Sequence, residues 1–207
     1  MNIYSFKMWR RLMNKRENEK LRKIQLIEQS ALDLFVTRGY SATKISDIAQ
    51  KADVSVGLVM KYFHSKEFLY EHLIEKGVQS IHFSLEIPHT NMLELFEKIT
   101  RYIFSQLDTN PVVAKMFMLL SEARKNDHVS EKVKALLEAI TIIEDCCEWI
   151  VTGQDEGSIR EGNPHTLSYT YWCCIQGMAE AKVIFADFKL PEVAWILAIL
   201  RREENNG

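Results

Sequence analysis

Between Lys44 and Phe63 the chain reads KISDIAQKADVSVGLVMKYF, two short helical patterns on either side of a single turn. Ile45, Ile48, Ala49 and Ala52 recur at helical spacing, so the first pattern has one apolar face. Thr43 stands just before it, where a side-chain oxygen can cap orphan backbone amides. The turn falls at Ala52-Asp53-Val54, and Ser55 is placed to cap a second helix. On that helix Val59 and Phe63 are four apart and can face inward together, which leaves Val56, Gly57, Leu58, Met60, Lys61 and Tyr62 pointing away. The outer face is basic and has no carboxylate to repel phosphate. A short helix of this kind behind a tight turn is how a helix-turn-helix enters the major groove. An ordinary helical hairpin would give the same pattern, and the two helices alone do not separate these readings.

Bulk properties narrow the class. In a chain of 207 residues with 47% hydrophobic residues there is enough apolar material for a packed core, as one large domain or two small ones. Gly and Pro are scarce and long alternating runs are absent, which implies an all-α fold. No apolar run approaches the roughly 18–20 residues that span a bilayer, so no membrane partner is expected. The N-terminus lacks the apolar core of a secretory signal. Four cysteines come as two adjacent pairs, Cys146-Cys147 and Cys173-Cys174, which is neither a disulfide framework nor a zinc spacing. A reducing cytoplasm is the expected compartment, with no metal and no cofactor. The net charge of −2 hides an asymmetry: Met1 to Glu67 holds 13 Lys+Arg against 7 Asp+Glu, and the remainder 13 against 21. Only the first part is suited to a polyanion.

Leu34-Phe35, Gly39-Tyr40, Thr43, Ile48-Ala49, Ala52, Val54-Ser55, Gly57, Tyr62-Phe63, Ser65-Lys66-Glu67 and Leu69 stand at fixed spacing. With them the run from Gly39 to Leu73 closely resembles the DNA-binding domain of the TetR family of bacterial transcriptional regulators. The resemblance implies a three-helix DNA-binding domain with a helix-turn-helix, followed by a helical ligand-binding and dimerisation domain. The corresponding division is a basic extension over 1–20, a DNA-binding domain over 21–82 with its helix-turn-helix at 44–63, and a regulatory domain over 83–207.

By the same resemblance, DNA contacts fall on Thr43, Lys44, Ser55, Val56, Gly57, Leu58, Met60, Lys61, Tyr62 and Lys66. Lys44, Lys61 and Lys66 can each neutralise a phosphate and release a counterion. Tyr62 can donate to a phosphate oxygen, and helix N-termini after Ser55 and Ser65 can bind phosphate through backbone amides. Four positions depart from the family pattern. Asp53 replaces a frequent Gly, Met60 a frequent Tyr, and Val56 and Leu58 are apolar where polar residues are common. Such a reader leans on methyl contacts with thymine more than on bidentate hydrogen bonds.

Met1 to Lys20 interleaves Lys7, Arg10, Arg11, Lys15 and Arg16 with Tyr4, Phe6 and Trp9. It reads either as an arm for DNA or as a loose tail, with Met13 as an alternative first residue. Helices are expected at Leu21–Arg38, with Gly39 at a left-handed C′ position, and at Ser65–Glu86, where His64, His72 and His82 are read as surface or interface residues. Asn91 and Glu94 have capping-box spacing before an apolar face of Leu95, Phe96, Ile99, Tyr102, Ile103 and Leu107. Further helices are expected at Val112–Lys125, from Ser130 through Val151, from Asn163-Pro164 to about Asp187, and from Pro191 onward, with a loop over Gly153–Gly162. The resemblance implies that the last two helices pair with their copies in a homodimer, and Gly177, Ala179 and Ala181 permit close approach.

A small-molecule effector is expected against Tyr102, Met116, Phe117, Cys146, Trp149, Trp172, Cys173 and Met178, soft side chains that suit an adaptable apolar pocket. Residues at helical spacing are equally plain core. Redox sensing by the cysteine pairs is weakened by Glu144, Asp145 and Glu148, which would raise a thiol pKa. The reading that results is a homodimeric repressor on a palindromic double-stranded operator, released by a small apolar or amphipathic ligand. A regulator without an inducer, either an activator or one controlled by a protein partner, is the alternative. No nucleophile motif, phosphate-binding glycine loop or metal-ligand spacing supports an enzyme.

Overall fold

The computed structural model describes residues 3–80, 87–127 and 129–202, with side chains from Lys15 onward. The expectations for Ile81, His82, Leu85 and Glu86, for the side chains of Tyr4, Phe6, Lys7, Trp9, Arg10 and Arg11, and for the domain division between 82 and 83 lie outside the described residues. The described chain is helical, with one isolated antiparallel bridge between Ile159 and Arg201. It forms two compact units, Met1–Leu73 and Ile74–Gly207.

The first unit is built on α1 (Ile3–Arg38), which begins far upstream of the expected Leu21. The core starts only where its apolar stripe does: Ile27 and Ala31 are fully buried, with Leu34 and Phe35 close behind. Residues 15–22 are exposed on every side, so these turns are helix without burial. Gly39 ends α1 at φ +83, and its amide donates to the Phe35 carbonyl at 3.0 Å. Two short helices follow, α2 (Ile45–Lys51) and α3 (Val56–Phe63). Between them Asp53 takes φ +53, the left-handed conformation that Asp tolerates. α4 (Lys66–Gln79) starts under a Ser65 cap, with the Phe68 amide donating to Oγ at 3.0 Å.

In the second unit, α5 (Met92–Thr109), α6 (Pro111–Arg124), α7 (Glu131–Glu138) and α8 (Ile142–Asp155) lead to α9 (Pro164–Ile184) and α10 (Val193–Leu197). Asn91, Asn110, Ser130 and Asn163 cap α5, α6, α7 and α9 with side-chain oxygens. α9 packs between α6 and α8, and its Tyr171, Ile175 and Ala179 are fully buried with Phe96, Ile99 and Ile150.

Four expectations are corrected here. The long helix from Ser130 is two helices, α7 and α8. The β-branched run Ile140-Thr141-Ile142-Ile143 holds helix poorly, and Thr141 restarts it by bonding Asp145 through both its hydroxyl and its carbonyl. Val151, expected inside, is exposed. Gly153 is no loop residue but sits buried in the last turns of α8, where Ile159 folds back onto it. The final helix is barely more than a turn: Arg160 donates to the Leu200 carbonyl at 2.9 Å and draws the chain into the bridge at Arg201.

Candidate nucleic-acid interface

α3 owes its start to Ser55, whose hydroxyl accepts from the Leu58 amide at 3.2 Å. Such a cap stabilises a helix by about 1 kcal/mol. Val59 and Phe63 turn inward and are 0% and 4% exposed. Burying two such side chains stabilises the unit by roughly 3–6 kcal/mol together. The turn holds α3 against α2: the Asp53 amide donates to the Gln50 carbonyl and the Val54 amide to the Ala49 carbonyl. Ile48, Ala49 and Ala52 bury α2 from below, and Lys51 reaches Asp33 on α1 at 2.5 Å.

With one face fixed, the other is open. Val56, Gly57, Met60 and Lys61 are exposed, Val56 by 46% and Met60 by 40%, while Leu58 and Tyr62 are half-buried. A Cβ added to Gly57 would meet nothing closer than Ser55 Oγ at 4.0 Å. The face therefore presents two apolar side chains, a stretch of bare backbone and one ammonium. No ion pair holds Lys44 or Lys61 among the described residues, so both cations are free to meet phosphate. Lys44 is exposed as the N-cap of α2, and its amide donates to the Asp47 carboxylate at 3.0 Å.

Two expected contacts are placed elsewhere. Thr43 does not cap α2. It is 1% exposed, and its hydroxyl donates to the Gly39 carbonyl at 2.8 Å and the Leu34 carbonyl at 3.3 Å, which binds the loop to the end of α1. Lys66 is also turned in: Nζ donates to the Tyr40 carbonyl at 2.8 Å and the Thr43 carbonyl at 3.0 Å, and lies 4.1 Å from the centre of the Tyr40 ring. Sequence reasoning missed this clamp because its partners are backbone carbonyls more than twenty positions away. It also missed the pair of Glu28 on α1 with His72 on α4, 2.7 Å apart, with Phe63 of α3 against the His72 ring.

The expected effector residues do not form one site. Cys146, Trp149 and Trp172 are buried together, and Phe117 and Met178 pack on the edge of that cluster. Met116 lies against Gly77 of α4. Tyr102 is 58% exposed and Cys173 is exposed, so neither lines an interior pocket. Each lies on a helix whose buried stripe is carried by other positions, Ile99 and Ile103 on α5, Tyr171 and Ile175 on α9. Inside the core the Tyr171 and Thr100 hydroxyls lie 2.8 Å apart, and the Trp172 indole N–H donates to the Cys146 sulfur at 3.1 Å. Burial pushes the Cys146 thiol up to about 12 against the pull of the Trp172 bond, and burial raises Cys147 as well. Neither is a ready thiolate. One concavity is an open groove of about 540 Å³ along α9, lined by His165, Thr166, Tyr169, Thr170, Cys173 and Cys174.

Residues 27–73 match the family model described as bacterial regulatory proteins, tetR family. The chain is 36% identical over 66 residues to a probable helix-turn-helix transcriptional regulator, YttP, of Bacillus subtilis, and this match spans 32% of each protein. It is 25% identical over 196 residues to the helix-turn-helix transcriptional regulator RutR of Escherichia coli, spanning 92% of this chain and 85% of that one. Among solved structures, HlyIIR, a haemolysin II transcriptional regulator, superposes with a TM-score of 0.67 at 21% identity, over 89% of this chain and 99% of that one. At that identity the likeness is one of fold.

Proposed function

We propose that this chain, whose residues 27–73 match the tetR family model, is a helix-turn-helix transcriptional regulator that acts as a homodimeric repressor on a palindromic operator. The outward face of α3 carries this reading: Val56, Gly57, Met60 and Lys61 are exposed at a capped, carboxylate-free helix. Such a surface reads thymine methyls through Val56 and Met60, approaches the duplex closely at Gly57, and grips phosphate through Lys61, Lys44 and the Tyr62 hydroxyl. Two copies would enter successive major grooves about 34–36 Å apart. The exposed stripe of α9, with Tyr169, Cys173, Gly177 and Ile184, supports pairing of two copies there. A small apolar or amphipathic effector would lower DNA affinity only through its preference for one of two reader spacings.

The mutual burial of Cys146, Trp149 and Trp172 favours a second reading, in which no inducer enters and a protein partner or an activating role sets the output. Selection of sites from random double-stranded DNA, followed by a release screen of apolar and amphipathic compounds, tests both. Enrichment of an inverted repeat bound by a dimer supports the regulator, and release by a compound supports the repressor with an effector. If no sequence is enriched, or if a monomer binds a lone half-site, the homodimeric proposal fails.

A further inference from the structure

Lys66 begins α4, three residues past the end of the reading helix, yet its ammonium is committed within the protein. A lysine ammonium has three donors and no acceptor. Two are taken by the Tyr40 and Thr43 carbonyls, at 2.8 and 3.0 Å, and the Tyr40 ring lies 4.1 Å from Nζ. That ring is itself fixed, 5.7 Å from Phe35 and 4.7 Å from Tyr70 between centres. The two carbonyls bracket the loop that joins α1 to α2. From inside the loop, Thr43 adds its own bonds to Gly39 and Leu34. The next residue, Lys44, is the N-cap of α2. The place of this loop therefore sets where α2 starts, and the turn at Asp53 passes that setting to α3.

We infer that Lys66 is a positioning residue for DNA reading, the pin that holds the α1–α2 loop and with it the angle at which α3 is presented. Contact with a phosphate would require the ammonium to turn outward and abandon both carbonyls and the ring. Its net charge still adds to the general attraction for DNA, but no phosphate is neutralised at short range by this side chain. The inference rests on the DNA-reading role of α3.

The test uses the full chain and an operator selected from random DNA, with Lys66→Met compared against Lys61→Ala across a salt series. A phosphate contact shows as a fall of about one in the slope of log affinity against log salt. Lys61→Ala is expected to show it. Lys66→Met is expected to keep the wild-type slope while operator affinity falls about tenfold and random-sequence affinity by less than about twofold, as a misplaced reader loses base contacts first. Tyr40→Leu, which removes no charge, is expected to reproduce that pattern, and the double variant to be no worse than either single one. Circular dichroism at the assay temperature confirms that each variant is folded. If Lys66→Met is not, Lys66→Gln takes its place with the same expected readings. A slope reduced by about one, or an operator affinity unchanged, overturns the inference. Absence of DNA binding by the wild-type chain would instead overturn the role of α3 itself.

Discussion

Two helical glycines show how differently the two units are built. Gly57 stands on the open face of α3, where a methyl group would enter empty space. Gly153 stands inside α8, where the same methyl would lie 2.5 Å from Ile159 Cδ1 and 3.0 Å from Met92 Cβ. In the first unit, short-range backbone bonds hold a helix so that one side stays bare. In the second, helices approach until no side chain fits between them. Gly57 costs helix stability and gains nothing in packing, which points to a demand from outside the protein. Gly153 is explained by the fold alone.

The sharpest way to break this contrast is to open a cavity in the second unit. Phe96 is fully buried, with Tyr171 5.1 Å and Trp149 6.1 Å away between ring centres. Phe96→Ala should destabilise the second unit by about 3–5 kcal/mol, read by denaturant unfolding followed through tryptophan fluorescence. A loss below about 1 kcal/mol would mean that the packing is looser than its geometry. Next, Gly153→Ala should cost about 1–3 kcal/mol in the same measurement, because Ile159 must leave its seat. An unchanged midpoint would place Gly153 in the same class as Gly57.

The first unit was legible in the sequence because its signals are local. Ser55 as a cap, Asp53 at a left-handed turn, Gly39 at the end of α1, and the spacing of Val59 and Phe63 each act within a few residues, and each stands as expected. What failed there was long-range: Thr43 and Lys66 look like surface groups in one dimension and become internal ties only when α1, the loop and α4 meet. In the second unit most of the information is tertiary. The unwinding of the last helix is set by the pairing of Arg160 with Leu200, which no window of sequence contains. The aromatic and sulfur-bearing candidates for an effector site illustrate the same limit, since periodicity could not tell buried Trp172 from exposed Tyr102.

Gly57→Ala sharpens the comparison from the other side. At the second position of α3, with free space around it, alanine should raise stability by up to about 0.5–1 kcal/mol. The same methyl group should weaken binding to a selected operator, since it stands where the duplex approaches. Higher stability with weaker binding would mark Gly57 as a residue kept for its ligand. Higher stability with equal binding would move the contact surface away from the start of α3.

The smallest expected effect separates the caps themselves. α3 is capped by the Ser55 hydroxyl, which has no charge to lose. The start of α5 is held by two carboxylates. Glu94 accepts from the Thr90 amide at 2.6 Å, from the Thr90 hydroxyl and from Lys98, and Glu156 accepts from the Met92 amide at 2.5 Å. The bond from Lys98, followed by those from Thr90, lowers Glu94 from 4.5 to about 2, and the bond from Met92 lowers Glu156. A carboxylate lowered on folding stabilises the native state above its unfolded pKa, and that contribution fades as pH falls toward the folded value. Melting of Glu94→Gln should therefore lie below wild type near neutral pH and converge with it as the pH drops from about 5 to about 2. A gap that persists at the acid end would assign the role of Glu94 to its shape and not its charge, and would leave the caps of the two units alike in kind.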